Sequence, residues 1–258
     1  MYSSMLRRLL GLTLCWLVAL FAVPLPAQEV ASMEEDEARE ILSRSDEIRF
    51  PAEGFQVDVE IISTSPNAEP ETRKYRVLSK GNENTVVMIL EPASERGQIM
   101  LMKGRDLWVF MPDVAQPIRL GLAQRLTGQV ANGDLARANF SGDYTPRILR
   151  TERVEGQEHH VLELTAVDRG VTYHRVLLWV NKANYRPHKA EFYSLSNRLL
   201  KTCLYQDFKP MAGRTRPTRL VMEDALKPGH VSILQYGQMR LRDLPDRVFT
   251  KEYLKRLQ

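Results

Sequence analysis

Six side chains within a short stretch have the types that could hold a metal: His159, His160 and His174, with Glu158, Glu163 and Asp168 among them. A zinc site on such elements needs paired ligands spaced so that they turn toward one point. Adjacent histidines on a strand face opposite ways, so His159 and His160 do not converge. Serine hydrolysis would want the nucleophile on a tight Gly-x-Ser-x-Gly turn. Ser141-Gly142-Asp143 follows Asn139 and Phe140, so the leading glycine is missing, and Asp143 beside Gly142 suits a turn. Glu223 and Asp224 are neighbours that face apart on a strand, and no glycine-rich phosphate loop occurs. The expectation is a protein that is not an enzyme, with no metal and no cofactor.

The first residues carry Arg7 and Arg8, then an apolar run from Leu9 to Val23, then Pro24, Leu25, Pro26 and Ala27. Charged, apolar and small-residue segments in that order describe a secretory signal, and the apolar run falls short of the roughly 20 residues that span a bilayer. We expect cleavage after Ala27, a single domain over 28–258 and a periplasmic location. Loss of Arg7 and Arg8 takes 36 basic residues to 34 against 32 acidic ones, close to neutrality. Nucleic acid, which is met by clustered basic charge, is therefore not an expected partner. The basic run Arg214, Arg216 and Arg219 reads as a solvated turn. Of two cysteines, Cys15 lies in the leader, which leaves Cys203 alone as a small buried hydrophobe.

Ser32 and Glu35 have capping-box spacing, followed by acidic residues suited to a first helical turn, and the pattern predicts a helix over 33–49. From Phe55 the period becomes two: Phe55, Val57, Val59 and Ile61 alternate with Gln56, Asp58 and Glu60. Further strands are expected at 74–80, 85–91, 98–103 and 107–111, then at 148–154, 160–166, 171–181, 189–194, 199–208, 218–223 and 231–241. Between the two groups the periodicity fails for about 30 residues, long for a structureless loop. Short helical pieces are expected at 120–126 and 134–138, the second starting near Asn132 or Gly133, and a last helix over 250–258.

Two strands are apolar on both faces: Val86-Val87-Met88-Ile89-Leu90 and Val176-Leu177-Leu178-Trp179-Val180. A sheet with such strands needs two coverings. Either lipid supplies one of them, or helices and loops supply both. Met88, Met100, Met102 and Met111 would suit varied apolar partners, though methionine at such spacing is also ordinary core. Trp108, Phe110, Phe140 and Tyr144 gather where the mid-chain segment begins and ends, as a gate or as loop staples.

Asn132-Gly133-Asp134, Asn139-Phe140-Ser141-Gly142-Asp143-Tyr144, Gly170-Val171-Thr172-Tyr173, Arg186-Pro187-His188-Lys189-Ala190-Glu191-Phe192-Tyr193 and Leu244-Pro245-Asp246-Arg247-Val248-Phe249-Thr250 carry a resemblance. In these turns and aromatics the chain resembles the outer-membrane lipoprotein-sorting family, relatives of the periplasmic carriers LolA and LolB. The resemblance implies a mainly β fold: a curved antiparallel sheet, or open half-barrel, of about 11 strands with covering helices. It also implies an apolar cavity that shields acyl chains of lipoproteins or free lipids, and transfer between envelope membranes or to a partner permease. Two other functions stay open: a non-enzymatic accessory subunit of a lipid-exporting RND-type permease, without cargo of its own, and a small-molecule hydrolase of unrecognised type. The arginine that latches the LolA lid has no motif match in this chain. Candidate lining residues are Val57, Val59, Met88, Leu90, Met100, Met102, Trp108, Phe110 and Phe140, with 117–144 as a lid over a monomer.

Overall fold

The computed structural model describes residues 27–254, with side chains from residue 33, so the expected leader up to Pro26 lies outside the described residues. The fold is mainly β, as expected. The first meander comprises β1 (Phe55–Thr64), β2 (Glu71–Lys80), β3 (Asn84–Glu91), β4 (Ile99–Lys103), β5 (Asp106–Phe110) and β6 (Ile118–Leu120). A small hairpin follows, β7 (Arg125–Thr127) with β8 (Val130–Ala131). The second meander comprises β9 (Tyr144–Val154), β10 (Gln157–Ala166), β11 (Arg175–Asn181), β12 (Pro187–Tyr193), β13 (Leu199–Met211), β14 (Arg214–Asp224) and β15 (Val231–Tyr236), and β16 (Arg240–Leu241) adds a short pairing to β1.

Among the described residues these form one 14-stranded sheet in the order β6-β5-β4-β3-β2-β1-β15-β14-β13-β12-β11-β10-β9, with β16 beside β1. All pairings are antiparallel, and the two meanders meet only where β1 pairs with β15, Val59 opposite Tyr236 and Ser63 opposite Ser232. Since β6 and β9 end the order, the sheet curls without closing on itself. The twelve expected strands all fall on β1–β5 and β9–β15. The expected run 171–181 begins later, at Arg175, and 231–241 is broken between β15 and β16.

Period two decides which residues share the inner face. Phe55, Val57, Val59 and Ile61 of β1, Val87 and Ile89 of β3, Met100 and Met102 of β4, Leu178 of β11 and Cys203 and Tyr205 of β13 belong to one buried cluster. That cluster is completed from outside the sheet. Helix α1 (Ala27–Arg49) contributes Ile41 and Leu42, and the mid-chain segment contributes Leu122, Val130, Leu135 and Phe140. The mid-chain segment thus fills the inner face instead of hanging as a loop.

Two local expectations are corrected here. α1 starts at Ala27, upstream of Ser32, so Ser32 lies within the helix and does not cap it. The stretch 120–126 is not helical: it runs from the end of β6 into β7, while the helix expected next to it is α2 (Asn132–Ala136).

The outer face explains the doubly apolar β3. Val86, Ile99, Leu101 and Phe110 pack with Leu244, Val248, Phe249 and Leu254 of the C-terminal segment, with Met88 and Trp108 at the margin. This segment includes α3 (Lys251–Leu254), the described part of the expected last helix. The outer side of β11 is covered differently. Val161, Leu177 and Trp179 form a small cluster, and the Lys189 ammonium and Arg150 guanidinium lie over the Trp179 ring at 4.8 and 6.0 Å.

The basic run also needs correction. Arg216 lies within β14 and is 2% exposed. It donates to the carbonyls of Glu47 and Ile48 at 2.6 and 3.2 Å, capping the C-terminal end of α1, where the helix dipole favours a cation. Arg214 pairs with Glu47 at 2.9 Å, and Arg219 donates to Gln206 at 2.6 Å.

The outer covering yields a stability prediction. Phe249 is 1% exposed beneath β3 and β4, so Phe249→Ala should lower the unfolding free energy by about 3–5 kcal/mol in chemical denaturation. Leu241→Ala, on a half-exposed side chain, should stay within about 0.5 kcal/mol of the parent. Equal effects would mean that the C-terminal segment does not seal the outer face.

Candidate functional site

The inner face and the segment 121–143 that covers it form the candidate site. The nine residues expected to line it divide between the two sides of the sheet. Val57, Val59, Met100, Met102 and Phe140 lie in the inner cluster. Met88, Trp108 and Phe110 belong to the outer one, under the C-terminal segment, and Leu90 is half-buried and packs in neither. On β3 it is Val87, not Met88, that faces inward. Strands with two apolar faces carry no parity signal, which is why this choice was invisible in the sequence.

The covered space is nearly full. Two crevices run beneath the cover, one between Val57, Val77 and Leu135, the other between Phe140, Tyr173 and Tyr205, and each has about 20 Å³ of room. That accommodates roughly one water apiece and no acyl chain. Side chains of α1 and of the mid-chain segment fill the concave side of the sheet.

The cover is fastened by buried charges. Along α1 the inward stripe reads Ala38, Ile41, Leu42, Ser45, Asp46 and Arg49, all below 7% exposure, so it starts apolar and ends ionic. The Asp46 carboxylate accepts the N–H groups of Phe140 and Ser141 at 3.0 and 2.7 Å and the Arg49 guanidinium at 3.0 Å. Arg49 in turn lies 4.1 Å from the centre of the Phe140 ring.

A second link joins α2 to the floor. Lys201 shares its strand face with Cys203 and Tyr205, is 5% exposed, and donates from Nζ to the Asp134 carboxylate at 2.5 Å and to the Gln129 carbonyl at 2.7 Å. Asp134 also accepts the Ala131 N–H at 2.8 Å and the Tyr173 hydroxyl at 2.9 Å. Burial, and then the Asp134 charge, push the Tyr173 phenol well above its ordinary range, so it stays protonated and donates.

The third link is at the rim. Arg137 holds the Asp143 carboxylate with two nitrogens and donates to the carbonyls of Asn82 and Gly104, at 2.5 and 2.9 Å, in the turns after β2 and β4. Arg105 joins the same carboxylate at 2.9 Å. Close packing completes the seat: a Cβ on Gly133 would lie 3.0 Å from the Thr172 Cβ, and one on Gly128 would collide with the hydroxyls of Ser63 and Ser232.

None of these charged residues was singled out as a site from the sequence. Lys201 did leave a signal, a cation at the head of the apolar parity Cys203 and Tyr205 of β13, and Asp134 and Asp143 stood within the turns that carried the resemblance. The residues that raised catalytic questions are engaged elsewhere. Glu163 pairs with Arg147 and Arg175, Asp168 with Arg105, and Glu158 with Lys182. The His159 ring donates to the Gln157 carbonyl at 3.0 Å and lies 5.2 Å from His188. Among the described residues no group of three or more His, Cys, Asp or Glu side chains could hold a metal. Burial pushes the Cys203 thiol up to about 12, far from a nucleophile's range.

Among the described residues no helix is long and apolar enough to cross a membrane. A family model described as "Uncharacterized protein" matches residues 81–256. No curated protein matches the chain. Among solved structures it is similar to a LolA superfamily protein of Nitrosomonas europaea, at 63% identity and a TM-score of 0.81, over 84% of this chain and 98% of that one. It shares its fold with a putative outer membrane lipoprotein-sorting protein domain from Vibrio parahaemolyticus, at 23% identity and a TM-score of 0.72, over 86% and 99% of the two chains. The same holds for a DUF1329 family protein from Desulfovibrio piger, at 19% identity and a TM-score of 0.74, again over 86% and 99%. With a curved open sheet, an apolar inner face under α1 and a mid-chain cover, and this identity along nearly the whole of a solved relative, the chain belongs to the LolA superfamily.

Proposed function

We propose that the protein is a periplasmic carrier that takes acyl chains of lipoproteins or free lipids onto the inner face of its sheet and passes them between envelope membranes or to a partner permease. In this reading residues 1–27 are the leader and 28–258 the single carrier domain. The observation that carries it is a continuous apolar inner face whose cover is tied down by a few buried polar links. Val57, Val59, Met100, Met102 and Phe140 are kept as lining residues, joined by Val87; Met88, Leu90, Trp108 and Phe110 are not.

The energetics favour exchange. Lifting the cover re-exposes Leu122, Val130, Leu135 and Phe140, at about 1.5–3 kcal/mol each. Some ten methylenes entering the vacated space return about 0.8 kcal/mol apiece, on the order of 8 kcal/mol in all. Apolar side chains and an acyl chain therefore compete on near-equal terms, and a carrier that must also release its cargo needs that balance. Lipid bound to protein purified from native envelope separates this function from that of a permease accessory without cargo; a preparation free of lipid that also takes up none would sink the carrier.

The cover can be locked to test its motion. Gly133→Cys with Thr172→Cys places two thiols where the Cβ atoms need to part by only about half an ångström to reach ordinary disulfide spacing. The oxidised form should lose acyl-chain uptake and the reduced form should recover it; uptake by the oxidised form would show that the cover need not move. In the opposite direction, Asp46→Ala removes the pin on Phe140 and Ser141 and strands Arg49, and should cost about 3 kcal/mol of stability while increasing uptake of a neutral apolar dye. Stability lost with no gain in dye uptake would make Asp46 part of the core alone.

A further inference from the structure

One space that reaches a buried charge lies not under the cover but at its side. A cleft of about 210 Å³ opens between the β7–β8 hairpin and the start of β13, and its inner wall includes Lys201. It has the volume of about seven waters. Its flanks are apolar, with Leu200 and the 46%-exposed Leu226, while the exposed Arg125 stands at its edge without a carboxylate partner among the described residues. Asp224 also borders the cleft, but its carboxylate accepts the N–H groups of Leu226 and Lys227 at 2.7 and 3.0 Å.

Lys201 is incompletely satisfied. An ammonium has three donors. Two meet oxygens, of Asp134 and Gln129, and the third meets no oxygen but the Met222 thioether at 3.6 Å, a weak acceptor, with the rings of Tyr173 and Phe192 centred 5.0 and 5.3 Å away. A buried cation that loses hydration and gains two oxygens has unmet demand for a third. Apolar walls leading to such a cation are the chemistry of an anionic amphiphile.

We propose that this cleft receives the anionic head, carboxylate or phosphate, of an acylated lipid, and that the head competes with Asp134 for Lys201. The inference rests on the carrier reading and adds to it the class of cargo and the order of events. The head takes the ammonium, and Asp134 keeps its bonds to the Ala131 N–H and the Tyr173 hydroxyl, so the exchange leaves no carboxylate bare. With the Lys201 link gone, α2 loses one of its ties to the floor of the sheet and the chain follows the head inward. A lipid with a neutral head lacks this key and has only apolar burial to open the cover.

The test compares two ligands with the same chain, palmitate and hexadecanol, by displacement of a neutral naphthylamine dye from the full mature protein. The parent should bind palmitate about ten-fold more tightly, the order of one hydrogen bond to a charged group. Lys201→Met should bring the two within about two-fold while still binding hexadecanol and dye. If that variant does not fold, Asp134→Asn serves in its place: with the competing charge gone, the preference for palmitate should widen by about ten-fold. Equal binding of the two ligands by the parent, an unchanged preference in Lys201→Met, or no widening in Asp134→Asn would overturn the head-group site and leave the carrier intact. Failure of both ligands to displace the dye would overturn the carrier as well. Acetate and inorganic phosphate alone should displace nothing and should not protect the protein against heat; phosphate that binds as tightly as palmitate would reassign the cleft to a free anion.

Discussion

A sheet that is apolar on both faces cannot stand in water with either face bare, and this requirement organises the molecule. The outer face of β2–β5 is closed by the C-terminal segment through Leu244, Val248, Phe249 and Leu254, a permanent seal of ordinary core packing. The inner face is larger and curved, and no regular layer of helices lies along it. α1 crosses one part, packed on β9 and β14, and an irregular run of hairpin, short helix and turns fills the rest. In the proposed carrier the outer covering is a wall and the inner one a door.

The door is not held by apolar contact alone. Asp46 with Arg49, Asp134 with Lys201 and Asp143 with Arg137 are all nearly excluded from water. Buried ion pairs add little net stability, because desolvation offsets much of the attraction, but they strongly disfavour misplacement of either partner. They act here in both directions. Closed, they fix one register of the cover against the rim and the floor. In the open form that the carrier proposal requires, the freed charges would regain hydration, which makes opening less unfavourable than for a cover of purely apolar side chains.

The legible and the hidden parts of the structure follow from the same physics. β1 could be read with its correct inner face because Phe55, Val57, Val59 and Ile61 alternate with polar residues. β3 can be read as a strand but not oriented, since Val86 through Leu90 are apolar throughout; which of Met88 and Val87 faces inward stays open in the sequence, and the fold turns Val87 inward. Three-residue strands such as β6 and β7 are too short to show any period, so 120–126 was taken for a helix. α1 shows the opposite problem: Asp46 and Arg49 look like a solvated helix end, and only the tertiary fold turns them inward, where Phe140 and Ser141 meet them. Arg216 was hidden in the same way, a surface-type residue whose partner is a helix terminus 169 positions away in the chain. Long-range partners of polar groups leave no trace in local pattern.

The pairing of β1 with β15 sets the order in which this chain can become whole. Each meander is built from neighbouring strands, so its hairpins can form as soon as their own residues are free to pair. The seam between them joins residue 59 to residue 236 and waits for nearly the entire chain. Until then β1 presents an unpaired edge beside an uncovered apolar face, the state most prone to join a second chain. A nascent molecule is therefore at its most adhesive in the interval before its last long strand arrives, and a companion that shields the β1 edge during that interval would protect it more than one that binds any finished surface.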